Sequence, residues 1–152
     1  MKKSLYDFLM ASEKTVKERQ TIKPTGLHDG QTFTLLDEEG HQYRLFTRES
    51  KEFPENFSIG INIFLDGEEV LMCRFNGRHG PNLQQPHHEI FHSHNPEWKD
   101  GFRMRKSLNQ INEESYGTFQ DALTVVCKRC KIKGMEAYFP ELEQMELGFE
   151  DE

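Results

Sequence analysis

Residues 57–76 read F-S-I-G-I-N-I-F-L-D-G-E-E-V-L-M-C-R-F-N, and this stretch decides the fold. Isoleucines at positions 59, 61 and 63 alternate with small or polar residues, which is the period-two pattern of a strand with one buried face. Asp66 and Gly67 follow and suit a tight hairpin turn. The alternation then resumes, so the stretch predicts a β-hairpin whose second strand carries Arg74 and Asn76 on one face.

Two further segments complete the predicted sheet. A second hairpin is predicted over residues 31–48, where alternating apolar residues flank an E-E-G turn. Residues 87–94 are predicted as a strand because an apolar Ile-Phe pair lies among polar residues. Period two places His88, His92 and His94 on one face of that strand.

Helices are predicted near both ends of the chain. Residues 4–20 place apolar side chains at helical spacing after Ser4, a favourable N-cap residue. A second helical pattern runs from Thr118 to Lys131. Asp121 follows Thr118 by three residues, which is the spacing of a capping box. Residues 107–117 are polar and are predicted to form a loop.

The predicted fold class is α+β, with a single domain over residues 1–134. We expect a mostly antiparallel sheet of about five strands, with an N-terminal helix and a helix at 118–131. Residues 135–152 carry seven acidic residues and no Lys or Arg, whereas the rest of the chain balances 19 acids with 19 bases. This segment is predicted to be an acidic tail, either a docking segment interrupted by apolar residues or a frayed terminus.

Cysteine content and hydropathy indicate the compartment. The chain has three cysteines, which cannot all pair with one another, and its apolar runs are too short for a signal peptide or a membrane span. We therefore expect a cytoplasmic protein with no membrane partner. The balanced charge of the body neither requires nor excludes a nucleic-acid partner.

Five of the seven histidines lie within sixteen residues, at positions 79, 87, 88, 92 and 94. Histidine is the side chain whose charge changes near neutral pH, so this clustering favours a functional site. For any one histidine, a polar surface role is the more ordinary interpretation. The pattern does not assign a role to each ring.

Acid–base cleavage of RNA is the first chemistry that fits the cluster. It needs a base for the 2′-OH, an acid for the leaving oxygen and a cation beside the phosphorus, and it needs no metal. The candidate catalytic residues are His79, His92, His94, Arg74, Asn76 and Arg78.

A divalent transition metal is the alternative. Neutral imidazoles and a carboxylate bind such ions, so clustered histidines followed by a glutamate suit a metal centre. The candidate ligands are His92, His94, Glu97 and His88.

A basic patch follows the cluster. Lys99, Arg103, Arg105 and Lys106 are interleaved with aromatic and apolar residues and are candidates for binding a phosphate backbone. A solvated, charged strand explains the same pattern equally well.

Three runs resemble a family of small bacterial and phage proteins of unknown function. They are R-F-N-G-R-H-G at 74–80, F-H-S-H at 91–94 and Y-G-T-F-Q-D-A-L at 116–123, the last continuing to Lys128 and Cys130. Members of that family share an R-Y-N-G-x-H-G strand end, an F-H-x-H strand and a closing helix. The resemblance covers roughly the second half of the chain and implies no settled activity.

A more distant similarity is to the TumE-like toxins of toxin–antitoxin modules. They too have a strand ending in Asn, then a loop with histidine, then a strand rich in histidine. The resemblance implies a toxin with a cognate antitoxin or another protein as partner, and Asn76, His79, His92 and His94 as functional residues. Together with the chemistry of the histidine cluster, it leads us to expect a toxin-type or phage-defence-related protein that acts on RNA. Two alternatives stay open, a His/Glu metal-binding protein and a non-catalytic interaction or inhibitor module that uses its acidic tail.

Overall fold

Eight strands form one sheet in the computed structural model of the protein, which describes residues 1–21, 28–78, 90–104 and 107–142. The elements in chain order are α1 Lys3–Ala11, β1 Lys14–Thr21, β2 His28–Asp37, β3 Gln42–Ser50, β4 Phe57–Leu65, β5 Glu68–Asn76, β6 His92–Asn95, β7 Trp98–Lys99, β8 Phe102–Arg103, β9 Gln110–Glu113, α2 Phe119–Arg129, β10 Ile132–Lys133 and a 3₁₀ turn Met135–Ala137. The order across the sheet is β10-β1-β2-β3-β4-β5-β6-β9, and β7 and β8 form a separate two-stranded sheet. All neighbours in the large sheet are antiparallel except β10, which pairs with β1 in parallel.

The central hairpin is confirmed as β4 and β5. Asp66 and Gly67 adopt φ values of 50° and 78°, the left-handed backbone that a two-residue turn of this kind requires. Ile59, Ile61 and Ile63 have no exposed surface, as their alternation predicts. The hairpin predicted over 31–48 is also present, as β2 and β3.

The prediction of about five strands is wrong, and the N-terminal helix accounts for part of the error. That helix, predicted over 4–20, ends at Ala11, and residues 14–21 instead form β1 against β2. The strand K-T-V-K-E-R-Q-T has β-branched residues at positions 15, 16 and 21. Pairing with β2 outweighs the helix propensity of its Lys, Glu and Arg residues, because propensity is a weak preference beside tertiary structure.

The remaining uncounted strands are short. β9 lies in the segment predicted as a loop, and all four of its residues are exposed, so no apolar alternation marks it in the sequence. β10 has two residues. The strand predicted over 87–94 is confined to β6 within the part of the chain that the structure describes, and residues 87–89 lie outside that part.

The C-terminal helix is confirmed and packs on the core face of the sheet. The Thr118 side-chain oxygen accepts the N–H of Asp121 at 3.1 Å, which satisfies one of the unpaired donors at the helix start. The helix buries its apolar stripe, and the ring of Phe119 lies 5.8 Å from that of Phe57 on β4.

Packing continues past residue 134, where the domain boundary was predicted. The ring centroids of Tyr138 and Phe139 lie 5.2 and 6.1 Å from that of Phe33, and Leu142 is buried. Residues 143–152 of the predicted acidic tail lie outside the described residues. None of the described helices has the length and apolar character needed to cross a bilayer.

Candidate functional site

The strand register assembles two rows of side chains on the face of the sheet opposite the core. Residues paired across antiparallel strands point to the same face, and the core takes the alternate positions such as Ile59, Ile61 and Phe75. One row is Arg48, Ser58, Asn76 and His92, and the other is Phe46, Gly60, Arg74 and His94, each running from β3 to β6. We call these eight residues the histidine face.

His92 and His94 meet ring to ring on this face. They stand two residues apart on β6, and their Nε2 atoms are 3.1 Å apart. His92 has no exposed surface and His94 is 8% exposed. The rings meet at an interplanar angle of 70°, so the contact is between nitrogens rather than between stacked faces.

The hydrogen positions on this pair follow from the neighbours of His92. Its Nδ1 lies 2.8 Å from the carbonyl oxygen of Ile90, so this nitrogen carries a hydrogen and donates it. A neutral His92 therefore has its lone pair on Nε2, where it accepts the hydrogen of His94 Nε2. His92 is thus the partner that orients His94, and His94 is the more exposed of the two rings.

Asn76 closes the buried side of the pair. It is 3% exposed, its Nδ2 lies 3.4 Å from His92 Nε2, and its Oδ1 has no hydrogen-bond partner among the described residues. The hydroxyl of Tyr116 lies 2.9 Å from the backbone carbonyl oxygens of both Asn76 and His92, which share its single hydrogen. Burial raises the pKa of Tyr116, so the hydroxyl stays a donor and holds the two strand ends together.

Arg74 lies directly opposite His94, on the neighbouring strand. Its side chain is partly buried, and its Nε has no hydrogen-bond partner in the described part of the chain. Burial and, secondarily, the charge of Arg48 lower the pKa of Arg74. The sequence analysis did not single out Arg48. Alternation places it on the strand face of Arg44 and Phe46, but only pairing across β4 and β5 brings that face beside the histidines.

Arg78 and Gly77 follow the end of β5, and both lie against Glu55. The Nε of Arg78 donates to a carboxylate oxygen of Glu55 at 2.9 Å, so an acid neutralises this cation. A Cβ at Gly77 would lie 1.8 Å from the carbonyl oxygen of Glu55, so only glycine fits there. No described contact brings Arg78 to the two imidazoles.

The other predicted site residues are dispersed or undescribed. His79, His88, Arg105 and Lys106 lie outside the described residues. Lys99 and Arg103 lie on the separate β7–β8 hairpin, whose Trp98 ring packs 5.0 Å from Tyr6 of α1. Glu97 lies between β6 and β7, and within the described ranges no three His, Cys, Asp or Glu side chains converge to hold a metal.

A second network holds β6 from the core side. Ser93, between the two histidines, donates its hydroxyl to Glu114 at 2.7 Å. Arg129 of α2 donates to both oxygens of the same carboxylate, at 2.8 and 3.0 Å. This network fixes the strand that carries the histidines to the helix, and the sequence analysis did not anticipate it.

No family model, curated protein or solved structure matches this chain. The two resemblances drawn from the histidine motifs therefore stay predictions.

Proposed function

We propose that the protein cleaves RNA without a metal, as a toxin-type or phage-defence-related ribonuclease. The observation that carries this proposal is the oriented His92–His94 pair directly beside Arg74, a cation with no acid partner among the described residues. Oriented imidazoles transfer protons near neutral pH, and a neighbouring guanidinium stabilises negative charge on phosphorus. A toxin-type role also implies a protein antitoxin as partner.

In this reaction His94 takes the proton of the 2′-OH or returns a proton to the leaving oxygen. The 2′-oxygen attacks phosphorus, the P–O5′ bond breaks, and the products are a 2′,3′-cyclic phosphate and a 5′-OH. A phosphate does not fit between nitrogens 3.1 Å apart, so His92 and His94 do not act on opposite sides of it. His92 orients His94, and His79 is the candidate for the opposite side.

Expression in a bacterial host tests the proposal directly. We expect growth arrest by the wild type and not by His94→Gln, together with new RNA ends that carry cyclic phosphates. His41→Gln is the matched control because His41 pairs with Asp37 in the β2–β3 turn, outside the histidine face. RNA cleavage by His94→Gln at the wild-type rate would contradict the mechanism, and absence of cleavage by soluble wild type would contradict the function.

A metal-binding function is the second candidate, and the distance between the imidazoles favours it. Two nitrogens bound to one ion at about 2.0–2.1 Å lie roughly 3 Å apart, close to the 3.1 Å between the two Nε2 atoms. The donation from His92 Nδ1 to a backbone carbonyl is also usual for a metal-bound histidine. The charges of Arg74 and Arg48 oppose a cation at this place, which is why we rank this function second. Metal analysis of the purified protein and of His92→Gln separates the two functions.

A further inference from the structure

We propose that Arg48 and Arg74 form a two-guanidinium clamp for a backbone phosphate of single-stranded RNA, adjacent to His94. The identity of the ligand rests on the proposed ribonuclease function. The clamp itself rests on the register and charge of the two side chains, with Arg74 partly buried and Arg48 exposed. Arg48 thereby becomes a substrate-positioning residue that the sequence pattern did not reveal.

The register places the two arginines on the same face of the sheet. Arg48 of β3 pairs with Ser58 of β4, and Gly60 of β4 pairs with Arg74 of β5, so both arginines belong to the histidine face. Their strands are two apart, a lateral distance of about 10 Å that two long side chains span when they lean toward each other. Gly60 has no side chain of its own, and the ring of Phe46 lies over it beside Arg74.

Arg48 and Arg74 differ from Arg44 and Arg129 in their ion pairs. Arg44 donates to Glu69 at 2.9 Å, and Arg129 binds Glu114 in the same way. Among the described residues, no carboxylate forms an ion pair with Arg48 or Arg74. Two like charges held close together with no acid are unfavourable alone, and a bound anion removes that cost.

The hydrogen-bond donors on this part of the histidine face suit a phosphate. Arg74 is partly buried, and its Nε, which is buried, has no acceptor among the described residues. A guanidinium offers five N–H groups in a planar fork. Phosphate oxygens accept such forks in pairs, which makes arginine the preferred residue for this recognition. Ser58, which also has a hydroxyl donor, is 6% exposed and pairs with Arg48 across β3 and β4. It lies in the row between Arg48 and Asn76.

Binding of a 2′-O-methyl RNA oligonucleotide tests the clamp. This probe lacks the 2′-OH proton, so the proposed reaction cannot cleave it and binding is measured apart from catalysis. Fluorescence anisotropy over a range of salt concentrations compares the wild type with Arg48→Gln, and Arg44→Gln serves as control because Glu69 already pairs with that arginine. We expect Arg48→Gln to weaken binding about tenfold. The slope of log K against log salt should fall by about 0.7, the loss of one phosphate contact.

The binding results test the clamp independently of the ribonuclease function. Equal binding by wild type and Arg48→Gln, or no binding by the wild type, would overturn the clamp. Inorganic phosphate at matched ionic strength should compete with the probe at the clamp, and competition that is equal for the wild type and Arg48→Gln would also overturn the proposal. Arg48-dependent probe binding without cleavage of ordinary RNA would uphold the clamp and reject the ribonuclease. Arg48→Lys, which keeps the charge but not the fork, should bind at an intermediate level, and circular dichroism checks the fold of each variant.

Discussion

His92 accepts a hydrogen bond from His94 across 3.1 Å between their Nε2 atoms, and the backbone of Ile90 fixes which nitrogen of His92 is the acceptor. This hydrogen bond makes one ring the donor and the other the acceptor, although both histidines belong to the same H-x-H motif. His92 is fully buried and His94 is 8% exposed. In the mechanism that we propose, His92 holds the ring of His94 in place and His94 is the ring that reacts.

Replacing His92 by Gln therefore tests a positioning role. We expect kcat for RNA cleavage to fall about 10- to 100-fold with KM nearly unchanged, since proton transfer from an oriented group contributes more than this in total. His94→Gln should fall further, by about 100-fold or more. Equal losses of kcat in the two variants, or a change in KM alone, would contradict the division of roles. Single-turnover cleavage of a short RNA is the measurement.

Gly60 is the one residue of the histidine face that has no side chain. A Cβ there would lie 2.0 Å from Cζ of Phe46, so the ring covers this glycine directly. We expect Gly60→Ala to lower the free energy of unfolding by about 1–3 kcal/mol, because a packed ring has to move, and to weaken RNA binding through the displaced ring beside Arg74. Gly30→Ala is the control, since its Cβ meets nothing nearer than 3.6 Å. Equal denaturation midpoints for the two variants would refute the packing argument.

The sequence predicted the elements whose patterns are local, and it predicted part of the histidine face. The β4–β5 hairpin is marked by alternating isoleucines and an Asp-Gly turn, and α2 is marked by its cap. β1 and β9 were missed because a charged strand and an exposed edge strand depend on their neighbours rather than on apolar periodicity. Arg48 joins the site through pairing across two strands, which no single segment encodes.

The core-side network of Glu114 should matter more than the surface ion pairs. Glu114 has a side chain 7% exposed and takes three hydrogen bonds from Ser93 and Arg129. Arg129→Met keeps apolar contact with Phe75 but leaves this carboxylate short of donors, so we expect a loss of roughly 1–2 kcal/mol in the free energy of unfolding. Arg44→Met, which breaks a more exposed pair with Glu69, should cost under about 1 kcal/mol. Urea denaturation compares the two, and a larger loss for Arg44→Met would contradict this ranking.

Lys14 is a buried cation at the junction of α1, β1 and α2. It has no exposed surface, and its Nζ donates to the carbonyl oxygens of Ser12, Cys130 and Met10 at 2.8, 2.7 and 3.3 Å. The ring of Tyr43 lies 4.8 Å from the ammonium. Burial nevertheless lowers the pKa of Lys14 to about 8, because the charged form loses more hydration than these contacts return.

This depressed pKa makes stability depend on pH with a definite sign. Between pH 8 and about 10.4, the ordinary pKa of lysine, the unfolded chain binds more protons at residue 14 than the folded chain does. The Lys14 contribution to the free energy of unfolding should therefore rise with pH, by at most about 1.4 kcal/mol per unit. Buried Tyr6, Tyr43 and Tyr116 have raised pKa values and act in the opposite direction near pH 10, so urea unfolding is best followed from pH 7.5 to 9.5. The wild type minus Lys14→Met difference isolates residue 14, and a difference that is flat or falls with pH would show that the three carbonyls keep this lysine fully charged.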